Sequence, residues 1–159
     1  MAGNRPKLSL DYNVPTPAPT HRENWLALFY PGNDFPGDLT NEDGDESSAL
    51  IEYAVGTDPT VNDPDPIKSE IDPDSGDLTI SFVRDPRATD LSYVLQVSSD
   101  LDTWTDIASS TSGAATSGGG AVSIVESNVL GQHPLKEVAV TLPAIASGEV
   151  RLFTRLSVT

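Results

Sequence analysis

The chain has 159 residues, 24 acidic against 9 basic side chains, a net charge of −15, 37% hydrophobic content and no cysteine. That length and apolar content suit one medium-sized folded domain, or a smaller one with an appendage. The charge argues against nucleic acid and anionic membrane surfaces as partners and makes cations the natural ones, and the absence of cysteine removes disulfides, thiolate metal sites and a cysteine nucleophile.

Met1 to Lys7 leads into no apolar core of a signal peptide, and no stretch is long enough to span a bilayer. The expectation is a piece of a longer, exported protein rather than a cytosolic one. Residues 1–19 read as an N-terminal extended segment that closes in the proline-rich run Pro15 to Pro19. Within it, Leu8-Ser9-Leu10-Asp11-Tyr12 alternates as a strand does, suited to pairing with its own domain or a neighbour's sheet.

Residues 20–59 read as a helical unit. Thr20-His21-Arg22-Glu23 has the spacing of a capping box, and the helix it opens is expected to run to about Tyr30, with Trp25, Leu28 and Phe29 as its buried stripe and Pro31-Gly32 as its stop. A second helix begins near Ala49, with Ser47 or Ser48 as N-cap, and ends at Gly56 in the left-handed position.

Between the helices lies Asn41-Glu42-Asp43-Gly44-Asp45-Glu46-Ser47-Ser48-Ala49-Leu50-Ile51-Glu52. A twelve-residue calcium loop takes side-chain oxygens from positions one, three and five, a backbone carbonyl from seven and both oxygens of a glutamate at twelve. Those positions are Asn41, Asp43, Asp45, Ser47 and Glu52, and no other register through the segment ends on an acid. Position six, normally glycine, is Glu46, while the glycine sits earlier as Gly44; a misplaced glycine costs roughly 1 kcal/mol. The expected site is a weak one, with a Kd of about 10⁻⁴ to 10⁻³ M, the extracellular range.

Residues 60–77 are rich in proline and aspartate and read as a linker; Asp63 with Asp65, or Asp72 with Asp74, are better read as solvated turns than as glycosidase carboxylates. Over residues 78–159 the pattern turns to period two: Leu78, Ile80 and Phe82; Tyr93, Leu95 and Val97; Val122 and Ile124; Val138, Val140 and Leu142; Val150, Leu152, Leu156 and Val158. Ser99 to Trp104 reads as a turn whose tryptophan opens a short strand and packs inward, and Ser109 to Gly120 as a flexible loop. The fold class expected is mainly β: an antiparallel, immunoglobulin- or fibronectin-like β-sandwich preceded by a short two-helix calcium-loop unit.

The run from Asp43-Gly44-Asp45 through Glu52-Tyr53-Ala54-Val55-Gly56-Thr57-Asp58-Pro59 resembles an Asp-rich, Glu-Tyr-Ala-x-Gly-Thr-Asp-Pro motif found near the ends of large secreted bacterial proteins. That family continues with a strand like Leu78 to Arg84, a Ser-x-Asp-Leu-x-x-Trp segment like Ser98 to Trp104, and a last strand like Phe153 to Val158. The acidic loop itself is similar to dockerin and thrombospondin type 3 calcium loops. The resemblance covers roughly Trp25 to Thr159 and implies a non-catalytic C-terminal module, extracellular or at the cell surface, joined to varied upstream domains. By position it makes Asn41, Asp43, Asp45, Ser47 and Glu52 the ligands. The chain departs from the family pattern at Asn41, Glu46 and Ala49, which bears on affinity more than on fold.

Catalysis has little support, since His21 and His133 stand beside no nucleophile and Ser117-Gly118-Gly119-Gly120 lacks the lysine of a phosphate loop. Two alternatives compete with the structural module. One is a carbohydrate-binding module, for which Tyr12, Tyr30 and Phe35 are the aromatics expected to be exposed. The other is an assembly or sorting domain that self-associates by strand pairing.

Overall fold

A computed structural model of the chain describes residues 16–144 and 151–159, so Leu8 to Tyr12 and Val150 lie outside the described residues. Helix α1 spans His21–Phe29 and opens on a complete capping box: the Thr20 hydroxyl accepts from the Glu23 N–H while the Glu23 carboxylate accepts from the Thr20 N–H. Its buried face differs from the expected stripe. Trp25 and the C-cap residue Tyr30 are buried, Leu26 and Phe29 pack beside them, and Leu28 is 70% exposed. Residues 25, 26, 29 and 30 share one side of the helix, and at 3.6 residues per turn position 28 points about 130° away from its centre.

Helix α2, Ala49–Val55, ends at Gly56 with φ of 79°, the left-handed cap the sequence calls for. Ser48 is its N-cap but makes no side-chain capping bond. The first amides are served instead by the loop before them, Ala49 N–H donating to Thr40 O at 2.8 Å and Leu50 N–H to Asp38 O at 3.0 Å. These bonds curl residues 38–49 into a closed loop against the helix start.

Among the described residues, the remaining regular structure is two four-stranded antiparallel sheets. One contains β1 (Ile67–Ile71), β2 (Leu78–Arg84), β6 (Ser123–Asn128) and β7 (Lys136–Leu142) in the order β1-β2-β7-β6. The other contains β3 (Ser92–Ser98), β4 (Thr105–Thr111), β5 (Ser117–Gly118) and β8 (Phe153–Val158) in the order β5-β4-β3-β8. Ile80, Phe82, Leu95, Val138 and Val140 meet between them, following the period-two pattern inward. A bulge in β4 opposite Leu95 and Gln96 turns two consecutive residues, Ile107 and Ala108, into this core.

Three segments differ from the sequence reading. The segment 60–77 holds β1, whose residues after Ile67 are exposed on both faces and therefore carry no alternation to read. Asp72 sits in the turn joining β1 to β2, its carboxylate accepting the N–H groups of Asp74 and Ser75. The small-residue run 109–120 contains the end of β4 and all of β5 rather than being loop throughout. Trp104 precedes β4 and is half-buried, with the Arg155 guanidinium 4.0 Å from its ring centroid, not an inward-packed core residue.

The helices close one end of the sandwich. Trp25, Tyr30, Ala49, Tyr53 and Ala54 form a second apolar cluster with Ala88, Leu91 and Tyr93 from the β2–β3 connection and β3. Polar contacts fix the junction: Asp85 N–H and the Tyr93 hydroxyl both donate to Ala54 O, at 2.8 and 2.7 Å, and the Tyr53 hydroxyl donates to Asp90 at 2.7 Å. His21 stacks on Tyr53 at 5.5 Å between centroids and places Nε2 3.1 Å from the buried Asp85 carboxylate. Tyr30, expected to be exposed, is 7% exposed because its ring folds between Trp25 and Phe35.

Candidate metal centre

The loop between the helices is shaped by its own short polar side chains. Gly44 takes the left-handed conformation, φ 80°, at the fourth position, so the sharp turn falls where this chain has its glycine and not at Glu46. Asn41 Oδ1 accepts the Gly44 N–H at 2.8 Å, and the Asn41 amide donates to Asp45 O. Asp43 Oδ1 accepts the Asp45 N–H at 3.2 Å, and Asp45 Oδ1 accepts the Ser47 N–H at 2.5 Å. Each of these carboxylates therefore spends one oxygen on the loop's backbone; the second oxygen of Asp43 is buried without a partner, and that of Asp45 accepts an N–H from outside the loop.

The three carboxylates Asp43, Asp45 and Glu52 converge. One carboxylate oxygen each from Asp43, Asp45 and Glu52 lie within 4.8 Å of one another. Glu52 reaches the group from the first turn of α2 and is 1% exposed, and both its Oε1 and Asp43 Oδ2 are buried without a hydrogen-bond partner. Two unit negative charges at that separation repel by about 3 kcal/mol at an effective dielectric of 20. Burial first, and then the charges on Asp43, Asp45, Asp58 and Asp63, push the Glu52 carboxyl up to about 7. A cation or a proton relieves this arrangement.

An all-oxygen, carboxylate-rich set suits a hard divalent cation, which takes six to eight oxygens when it is calcium. Of the residues singled out from sequence, Asp43, Asp45 and Glu52 are brought together as a group able to hold a metal ion. Asn41 and Ser47 flank them, Asn41 shaping the turn and Ser47, 6% exposed, anchoring Asp45 through its N–H.

Sequence reasoning missed Asp63. Its N–H donates to Asp45 Oδ2 at 3.3 Å across 18 residues of sequence, a tertiary approach that no local spacing announces. A cleft of about 410 Å³ lies alongside, lined by Gly56, Thr57, Asp58, Asp63, Arg87 and His133 among others. At the opposite end of the sandwich, a cleft of about 440 Å³ is lined, among the described residues, by apolar side chains including Ile71, Leu78, Val97, Val122, Leu142 and Leu152.

Comparison with protein-family models, curated proteins and solved structures finds no significant match for this chain.

Proposed function

We propose that the chain is a calcium-stabilised, non-catalytic accessory module of a secreted or cell-surface bacterial protein, built as an immunoglobulin-like sandwich with a helical calcium unit at one end. The observation that carries this reading is the pair of buried, unpartnered oxygens, Glu52 Oε1 and Asp43 Oδ2, on two members of a three-carboxylate group. A buried carboxylate without a partner is costly unless something neutralises it. Calcium fits better than magnesium, because a loop with an early glycine and mixed donors tolerates the irregular coordination that calcium accepts and octahedral magnesium does not.

Two further observations support the module reading. The strand orders β1-β2-β7-β6 and β5-β4-β3-β8 correspond to the A-B-E-D and C″-C′-C-F pairings of an immunoglobulin variable-type sandwich. Among the described residues the carbohydrate alternative finds little support, since Tyr30 is buried and Phe35 packs edge-on against it, while Tyr12 lies outside them.

Calcium binding only to the folded state adds RT ln(1 + [Ca]/Kd), so 100-fold excess over Kd gives about 2.7 kcal/mol. A weak site is thus filled outside the cell and switches a marginal module to its stable form after export. Titration calorimetry of the whole chain tests the reading: a calcium Kd of about 10⁻⁴ to 10⁻³ M with weaker magnesium binding is expected, and no heat in 10 mM calcium would overturn it.

Strand pairing with another chain is the second reading, favoured by one feature. Among the described residues β8 has a strand on one side only, at the place where an immunoglobulin sandwich carries its last strand. It predicts oligomers in sedimentation experiments at rising concentration, and a monomer at every concentration would exclude self-pairing.

A further inference from the structure

The chain between Glu52 and β1 returns to the acidic loop by a defined route. Gly56 and Thr57 both donate their N–H groups to Glu52 O, at 2.8 and 3.0 Å. Asp58 then builds a turn by accepting the Thr60 N–H and hydroxyl, at 3.0 and 2.7 Å, and the Val61 N–H donates to Asp58 O at 3.1 Å. That turn reverses the backbone and sets the Asp63 N–H on Asp45 Oδ2 at 3.3 Å, directly before Pro64, Asp65 and Pro66 lead into β1. Pro64 and Pro66 stiffen this last stretch, so whatever fixes Asp63 also fixes the entry to the sandwich.

Asp45 Oδ2 is the oxygen that its carboxylate does not use within the loop, and Glu52, a member of the same carboxylate group, is 1% exposed with its Oε1 buried and unpartnered. Oxygens around a metal are held in place by an outer layer of hydrogen bonds, and losing one such bond typically weakens metal binding 10- to 100-fold. We propose that residues 58–63 form the outer layer of this cation site, with the Asp63 N–H as a positioning group on Asp45, so that cation binding locks the segment that joins the helical unit to the sandwich. The inference rests on the calcium reading above and adds a consequence to it: the ion controls the stiffness of a joint as well as the stability of a loop.

Hydrogen–deuterium exchange of the full chain, with 10 mM calcium and after its removal by chelation, tests this alongside calorimetry. Peptides covering 41–52 and 56–66 are both expected to slow by about 10-fold or more on adding calcium. Asp63→Pro, which removes the N–H, is expected to weaken calcium binding by about 10-fold and to abolish the calcium-dependent slowing in 56–66, whereas Asp63→Asn keeps the N–H and retains that slowing. If 41–52 slows in calcium while 56–66 exchanges at the same rate throughout, the joint is not coupled and this inference falls with the calcium reading intact. If neither peptide responds and calorimetry gives no heat, both fall together. Should Asp63→Pro fail to fold, the comparison of the two peptides in the unaltered chain still decides.

Discussion

At the scale of single residues, Glu52 sets the argument. A carboxylate that is 1% exposed, with one oxygen unpartnered and two acids within 4.8 Å, is a liability in the ion-free protein. Glu52→Gln is therefore expected to unfold at the same or a higher temperature than the unaltered chain in chelator, and at a lower one in 10 mM calcium, where it forgoes a gain of about 1.4 to 2.7 kcal/mol for a Kd of about 10⁻³ to 10⁻⁴ M. A purely structural glutamate would give a loss in both conditions. Gly56 provides a second residue-scale test: at φ of 79°, an added Cβ would stand 2.8 Å from Leu135 Cδ2, so Gly56→Ala is expected to lower stability in urea unfolding by about 1 kcal/mol or more. The spacing of Asp43, Asp45 and Glu52 was legible in the sequence because a loop ties its side chains to fixed steps along the backbone. Asp63 was not, because its approach depends on a turn built by Asp58 and Thr60. Arg84 was not either: it continues the inward alternation of β2 as a residue 2% exposed, and its partner, Glu126 at 2.6 Å, lies on β6 across the sheet.

At the scale of elements, the helices were legible where local chemistry defines them. The Thr20 and Glu23 capping box and the Gly56 stop act within one turn of chain, so their spacing is written in the sequence. Thr20→Ala is expected to cost about 1 kcal/mol, measured by chemical unfolding, because α1 loses the acceptor for the Glu23 N–H. Which face α1 buries was less legible, since Leu26 and Leu28 are chemically alike and only the position of Tyr53 and Tyr30 selects the first. Strand β1 escaped detection for a related reason. Its register on β2, Ile67 opposite Phe82 through Ile71 opposite Leu78, is imposed by its partner and by the Asp72 turn, while Lys68, Ser69 and Glu70 carry no apolar rhythm.

At the scale of the whole molecule, the helical unit and the sandwich are joined by an apolar cluster around Trp25, Tyr53 and Tyr93 and by the contact of His21 Nε2 with the buried Asp85 carboxylate, which Arg87 also holds. Burial pushes the Asp85 carboxyl up, but hydrogen bonds from the Arg87 side chain and backbone, the Arg87 charge and His21 outweigh it and hold the carboxyl below its ordinary value. A carboxyl lowered by folding contributes stability that is present above its unfolded value of 3.8 and lost as pH falls through the lower folded one. Asp85→Asn is accordingly expected to flatten the acid limb of the stability curve below about pH 4, a change that urea midpoints at pH 2 to 6 would register. The net charge of −15 acts in the same direction as the loop, since self-repulsion favours any bound cation. The most direct test of the central claim is thermal unfolding of the whole chain in 10 mM calcium and in excess EDTA, repeated for Asp43→Ala and Glu52→Ala. A melting temperature that falls by several degrees on chelation, with both variants indifferent to calcium, is the predicted result; identical melting of all three proteins in both conditions would contradict it and reduce the loop to an acidic turn.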